Sequence, residues 1–154
     1  MIQVNPQLKS PVLFELDKNT AAPIQTIKLG GTYDHPSGTL QFLPVDDGYC
    51  ALVQLDNCAA VYRYDAAHQP LWKKELCQEQ LVKAGGLYKG LNNSIFVTGA
   101  NHATPSPTGS ESPLKVDSLL LYRLDVNTGN VQRIWKFPAP DGGYPIHVAG
   151  LSDT

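Results

Sequence analysis

Three cysteines, Cys50, Cys58 and Cys77, offer this chain its widest choice of chemistry, because a thiol can serve as nucleophile, metal ligand or half of a disulfide. A nucleophile requires a histidine beside it and a carboxamide or carboxylate to orient that histidine. Cys50 lies in the apolar run Tyr49-Cys50-Ala51-Leu52-Val53 with no strand-to-helix elbow, and reads as a buried free thiol. If Ala66 to Gln69 is the loop of a hairpin, Asp65 pairs with Pro70 and the register sets Cys58 opposite Cys77. Cross-strand neighbours lie about 4.5–5.5 Å apart, within reach of a disulfide. A Cys58–Cys77 bridge is therefore predicted if the protein is exported; the alternative is three unrelated core cysteines. A tight turn at Asp56-Asn57 sets Cys50 opposite Arg63, far along the ladder from Cys58.

The other reactive side chains form no motif. His35, His68, His102 and His147 show none of the short spacings of a zinc site and read as three loop residues and one strand residue. Asp46-Asp47-Gly48 and Asp125-Val126-Asn127-Thr128-Gly129 carry oxygens that calcium could use, but lack the six or more ligands of a dedicated loop. Hairpin turns explain them. Ser106, Ser110 and Ser112 lack the setting of a hydrolase nucleophile. No catalytic residue, metal or cofactor is predicted.

The elements that would position these residues come from a repeat. Leu16 to Leu29, LDKNTAAPIQTIKL, returns at Leu124 to Phe137 as LDVNTGNVQRIWKF and, one residue shorter, at Tyr64 to Leu76 as YDAAHQPLWKKEL. Before each acidic turn large apolar and polar side chains alternate, as in Leu121-Tyr122-Arg123-Leu124-Asp125, the mark of a half-buried strand. The turn is Asx chemistry, since an Asp side chain bonds its own backbone and Gly accepts positive φ. Four strands per unit follow. Strands A are expected at 39–43, 87–91 and 145–151, strands B at 49–55, 95–99 and 2–5, strands C at 13–17, 61–65 and 121–125, and strands D at 24–29, 71–76 and 131–137.

A period of about 50 residues points to a repeat architecture whose units cannot bury their apolar faces alone. LDVNTG followed by a tryptophan strand at 124–135, with a looser copy DAAHQPLW at 65–72, resembles the blades of quinoprotein-like and WD-type β-propellers. The resemblance implies an all-β chain of three four-stranded antiparallel sheets in one propeller-like domain. Its blades would be 36–76, 82–137, and a closing blade of 143–151 plus 1–30 held by both termini. Three blades enclose no central channel, so the quinone of the enzymes in that family is not carried over. Known propellers have at least four blades, which leaves a monomeric three-sheet form, the expectation here, a half of a six-bladed dimer, or a piece of a longer propeller.

Composition narrows the partners. With 12 basic and 14 acidic residues the net charge is −2, and no basic cluster exceeds Lys73-Lys74, which argues against nucleic acid. No apolar run reaches the ~18 residues of a membrane helix, and the first residues lack the apolar centre of a signal peptide. A charged fraction of only 17% is common in exported all-β proteins, so a periplasmic location, with its export signal removed, is expected over a cytoplasmic one.

One feature breaks the repeat. The second unit inserts Asn101 to Asp117, NHATPSPTGSESPLKVD, between strands B and C, where the first has a tight turn. Long loops without secondary structure are functional or disordered; here three prolines lower the ordering cost on binding while polar groups remain adaptable. Asn101, His102, Thr104, Ser106, Thr108, Gly109, Ser110, Glu111 and Ser112 are the predicted partner-binding residues. A small all-β chain with one protruding loop and no catalytic set resembles, in architecture, the immunity proteins that plug cell-wall hydrolases delivered by type VI secretion. That likeness implies a non-enzymatic inhibitor whose partner is a secreted enzyme or toxin. Two alternatives stand: a carbohydrate-binding propeller stacking sugars on Trp72 and Trp135, and an enzyme with a complete or split site.

Overall fold

The computed structural model describes residues 12–28, 40–55, 58–77, 83–102 and 116–139. Among them all regular structure is β-strand, in three antiparallel sheets. The N-terminal sheet pairs β1 (Val12–Leu16) with β2 (Pro23–Lys28). The middle sheet runs in chain order through β3 (Leu40–Val45), β4 (Gly48–Gln54), β5 (Ala59–Asp65) and β6 (Pro70–Glu75). The C-terminal sheet repeats this meander with β7 (Lys83–Lys89), β8 (Ser94–His102), β9 (Val116–Asp125) and β10 (Val131–Pro138). Each sheet is open. Of the three four-stranded sheets expected, two are found; the third has two strands among the described residues, and those expected at 2–5 and 145–151 lie outside them.

The repeated segment builds an aspartate-anchored turn three times. Asp17 Oδ1 accepts bonds from the Asn19 and Thr20 amides at 2.9 and 2.8 Å, and Asp125 Oδ1 accepts the Asn127 and Thr128 amides at 2.9 Å each. Asp65 does likewise for Ala67 and Gln69, at 2.9 and 2.8 Å. Each turn then needs one left-handed residue, supplied by Ala21 (φ 56°), His68 (φ 63°) and Gly129 (φ 71°). The shorter middle copy closes one residue earlier, its His68 amide bonding the Asp65 carbonyl three residues back, where Ala21 and Gly129 bond the Asp17 and Asp125 carbonyls four back.

The central strands of the middle sheet are buried on both faces, which is why Cys50 to Val53 and Ala59 to Tyr62 are unbroken apolar runs. On one face Cys50, Leu52, Ala59 and Val61 pack against Ile95, Val97, Leu120, Tyr122 and Leu124 of the C-terminal sheet. On the other, Ala51, Val53, Ala60, Tyr62 and Tyr64 meet Ile27 of the N-terminal sheet. Tyr64 is fully buried and stacks between Tyr49, at 5.2 Å, and Tyr62, at 6.3 Å. Burying one such ring is worth roughly 1.5–3 kcal/mol.

Polar stitches join the middle and C-terminal sheets along β7, an edge strand. The Gln41 carboxamide accepts the Leu87 amide at 2.8 Å and donates to the Leu87 carbonyl at 3.0 Å, imitating a missing ladder partner. Gln54 accepts the Ala84 amide at 2.7 Å while its own amide group donates to the Leu55 and Cys58 carbonyls. Edge groups that would otherwise be orphaned are thereby satisfied. At the opposite edge Trp72 donates Nε1–H to the Val126 carbonyl at 2.9 Å and lies over Gly129. A Cβ on Gly129 would stand 2.7 Å from the Trp72 ring.

Strand positions follow the expected A-B-C-D order, with two differences. β7 begins at Lys83 because Ala84 and Gly86 are accommodated by a bulge. β8 and β9 extend to His102 and back to Val116, taking up two residues at each end of the segment expected to be loop.

Candidate functional site

Cys58 and Cys77 form the expected disulfide, their Cα atoms 4.9 Å apart. The register behind the expectation holds from Ala60↔Glu75 to Arg63↔Trp72 and shifts by a bulge only next to the turn, at Tyr64↔Pro70. Cys50 is a buried free thiol opposite Arg63, as expected. Burial pushes its pKa up to about 11, against the opposing pull of the Arg63 charge, so the thiol keeps its proton at neutral pH.

The Asn101–Asp117 insertion is carried by the longest ladder among the described residues. Asn101 pairs with Ser118 and, after a bulge, His102 pairs with Val116. The chain therefore leaves β8 and re-enters β9 at one point on the sheet. Asn101 itself belongs to the scaffold: it is 6% exposed and its Oδ1 has no hydrogen-bond partner. His102 is the last residue of β8. Thr104, Ser106, Thr108, Gly109, Ser110, Glu111 and Ser112 lie outside the described residues. The corresponding connection of the middle sheet is short, closed by a bond from the Leu55 amide to the Cys58 carbonyl at 2.7 Å.

A polar groove of about 580 Å³ opens at the turn end of the two larger sheets, between Asp46, Asp47, Asp65, Lys89, Asn93 and Asn127. Its floor is Arg63, 5% exposed, whose guanidinium donates to the backbone carbonyls of Asp46, at 2.6 Å, and Tyr64. Gly48, at φ 139°, leaves room for that guanidinium; a Cβ there would lie 2.6 Å from Arg63 Nη1. Lys89 bridges to Asp46 at 3.2 Å in full view of solvent, a pair worth little. Arg63 thus holds the β3–β4 turn to β5. Of the histidines, His68 sits with Nδ1 3.2 Å from the Tyr49 hydroxyl. Burial, with smaller contributions from Tyr64 and Asp65, pushes that tyrosine up to about 12. Among the described residues no cluster of His, Cys, Asp and Glu could hold a metal; His35 and His147 lie outside them.

Trp72 packs against the C-terminal sheet, and Trp135 lies on the face of the C-terminal sheet turned away from the middle sheet. Arg133 lies over its ring at 4.7 Å, Phe96 stacks beside it at 6.3 Å, and Arg123 lies over Phe96 at 6.0 Å. Arg123 and Arg133 are direct cross-strand partners. The signal was present in the repeat, since Arg123 and Arg133 occupy the register positions of Arg63 and Trp72.

With this geometry in view, comparison with protein-family models, curated proteins and solved structures returns no match for the chain.

Proposed function

We propose that this chain is a non-enzymatic protein-binding domain on a propeller-like scaffold, an inhibitor or immunity protein that occludes the active site of a secreted toxin or cell-wall hydrolase. The supporting observation is the contrast between equivalent connections. β4 and β5 are closed by a bond from the Leu55 amide to the Cys58 carbonyl, whereas β8 and β9 stay paired as far as His102↔Val116, with residues 103–115 between them. A two-stranded pedestal of this kind fixes where a loop starts and ends, which lowers the entropy lost when it docks. Inhibition is steric, with polar groups such as those of His102 and Ser110 bonding groups in the partner's cleft. Stacking of the middle sheet between the other two supports the blade-like arrangement, and the ring closes when 143–151 and 2–5 join β1 and β2. The setting is periplasmic, and the protein acts as a monomer.

Deleting residues 104–113 tests the idea. The variant should keep the wild-type melting curve and disulfide, yet lose capture of the secreted hydrolase that the intact chain retains and the inhibition of that hydrolase on peptidoglycan. Equal capture and inhibition by the variant would refute the proposal. The carbohydrate reading draws on the partial exposure of Trp135, but the Arg133 guanidinium already lies over that ring, where a sugar would stack.

A further inference from the structure

We infer that the groove at the turn end of the middle and C-terminal sheets is a docking site for a basic segment of a protein partner, an arginine flanked by apolar side chains. The groove stands at the Ser94↔Asp125 end of β8 and β9, whereas the insertion leaves them at the His102↔Val116 end, so the inference does not rest on the function proposed above.

The walls are turns and strand ends of the two four-stranded sheets, all of them among the described residues. Closing the ring through β1 and β2 leaves the junction between these two sheets as it stands. Two bonds across that junction and its turns hold the walls: the Val126 amide donates to the Asn93 carbonyl at 2.8 Å, and the Val126 carbonyl accepts Trp72 Nε1–H at 2.9 Å. Beneath them Arg63, 5% exposed, binds the β3–β4 turn through the Asp46 carbonyl. A groove fixed before its ligand arrives loses little entropy on binding.

Two kinds of surface line the groove. Leu71 of the middle sheet and Leu91 of the C-terminal sheet are 57% and 61% exposed. A single exposed leucine is ordinary, but these two reach one groove from different sheets. Leu71 is the extra residue of a bulge, since Arg63 pairs with Trp72 and Tyr64 with Pro70, and bulges re-aim side chains. The same groove carries the carboxylates of Asp46, Asp47 and Asp65 against one exposed ammonium, Lys89. The Lys89–Asp46 contact is open to solvent and yields readily to an incoming cation. Arg63 spends its guanidinium on backbone carbonyls, so it shapes the floor and leaves the exposed charge mainly negative. An arginine suits both surfaces: its aliphatic stem lies along leucine while its planar fork meets carboxylates. A metal ion is a poorer match, because no cluster of His, Cys, Asp and Glu among the described residues could hold one.

The test uses the whole chain labelled with ¹⁵N, read by the Asp47 backbone amide and the Asn92 and Asn127 side-chain amides. The probe is a blocked peptide of leucine, arginine and leucine between glycines, compared with the same peptide carrying glutamine for arginine. The expected result is a saturable shift of all three signals by the arginine peptide, weakened by salt, and no shift by the glutamine peptide. Asp47 is exposed at φ 59°, a conformation that asparagine also adopts, so Asp47→Asn should weaken binding about tenfold at an unchanged melting temperature. Leu91→Ser should do the same, while Glu75→Gln, outside the groove, should bind as wild type does. No shift by either peptide, equal shifts by both, or undiminished binding by Asp47→Asn would overturn the inference. So would calcium chloride moving these signals at a lower concentration than the peptide does, or sedimentation showing a dimer of this chain that Leu91→Ser dissolves, since the groove would then belong to an ion or to a second copy.

Discussion

Replacing Gly129 with alanine probes how the middle and C-terminal sheets are locked. Gly129 adopts φ 71°, and its missing Cβ is where the Trp72 ring rests, 2.7 Å from the position a methyl group would take. Alanine in the left-handed region costs about 1–2 kcal/mol. Displacing the ring breaks the bond from Trp72 Nε1 to the Val126 carbonyl, which adds about 0.5–1.5 kcal/mol. The expected loss is about 2–3 kcal/mol, or roughly 5–10 °C in Tm for a chain of this size. The repeat supplies an internal control, because Ala21 already holds the same left-handed site in the N-terminal sheet, bonded alike from its amide to the carbonyl of the turn aspartate. Ala21→Gly should stay within about 1 kcal/mol of wild type, since relief of strain is offset by a more flexible unfolded chain. Urea titration followed by far-ultraviolet circular dichroism measures both. A double-mutant cycle with Trp72→Phe then isolates the contact between sheets. If Gly129→Ala costs less than about 1 kcal/mol, or if it is additive with Trp72→Phe, the lock does not work through this contact and the reasoning fails.

Two further predictions concern the cysteines and the acidic turns. Converting Cys58 and Cys77 together to serine should cost about 3 kcal/mol, the loop-closure value for a separation of 19 residues, and reductant should then leave the variant's urea midpoint unmoved while lowering that of wild type. Asp125 is held below the ordinary carboxylate range, chiefly by its bond from the Thr128 amide and then by the Thr128 hydroxyl and Asn127 amide. A depressed folded pKa means that this stabilisation is present above the unfolded value near 4 and is lost as pH falls through the folded value, so Asp125→Asn should flatten the fall in Tm below about pH 4.

The turns and their strands were legible because their chemistry is local. Asp17, Asp65 and Asp125 bond amides within four residues of themselves, and the strand register follows once such a turn is fixed. From that register alone Cys58 fell opposite Cys77 and Cys50 opposite Arg63. What depends on a neighbouring sheet was not legible. Alternation within β10 places Arg133, Trp135 and Phe137 on one side, but says nothing of whether another sheet covers that side. Trp72 bonds the Val126 carbonyl of the C-terminal sheet and Trp135 lies under Arg133 of its own strand, although both occupy fourth strands of their units. The early start of β7 was hidden by Gly85 and Gly86, which read as loop until a bulge is allowed. The true extent of the insertion was hidden in the same way, because Asn101 and Asp117 look like loop residues yet lie in paired strands.

The glutamine stitches divide ownership of the β7 backbone. Within each sheet the pairing is between consecutive strands, so a sheet can zip up from local contacts, whereas Gln41 reaches Leu87 across a separation of 46 residues and Gln54 reaches Ala84 across 30. The Leu87 and Ala84 amide protons are covalently part of the C-terminal sheet, but the groups that shield them belong to the middle one. Their exchange with solvent is governed by parting of the two sheets, with neither sheet melting, while the amides paired inside β8 and β9 exchange only when their own ladder opens. Two protons thus report on the junction itself, a quantity that global unfolding curves merge with everything else.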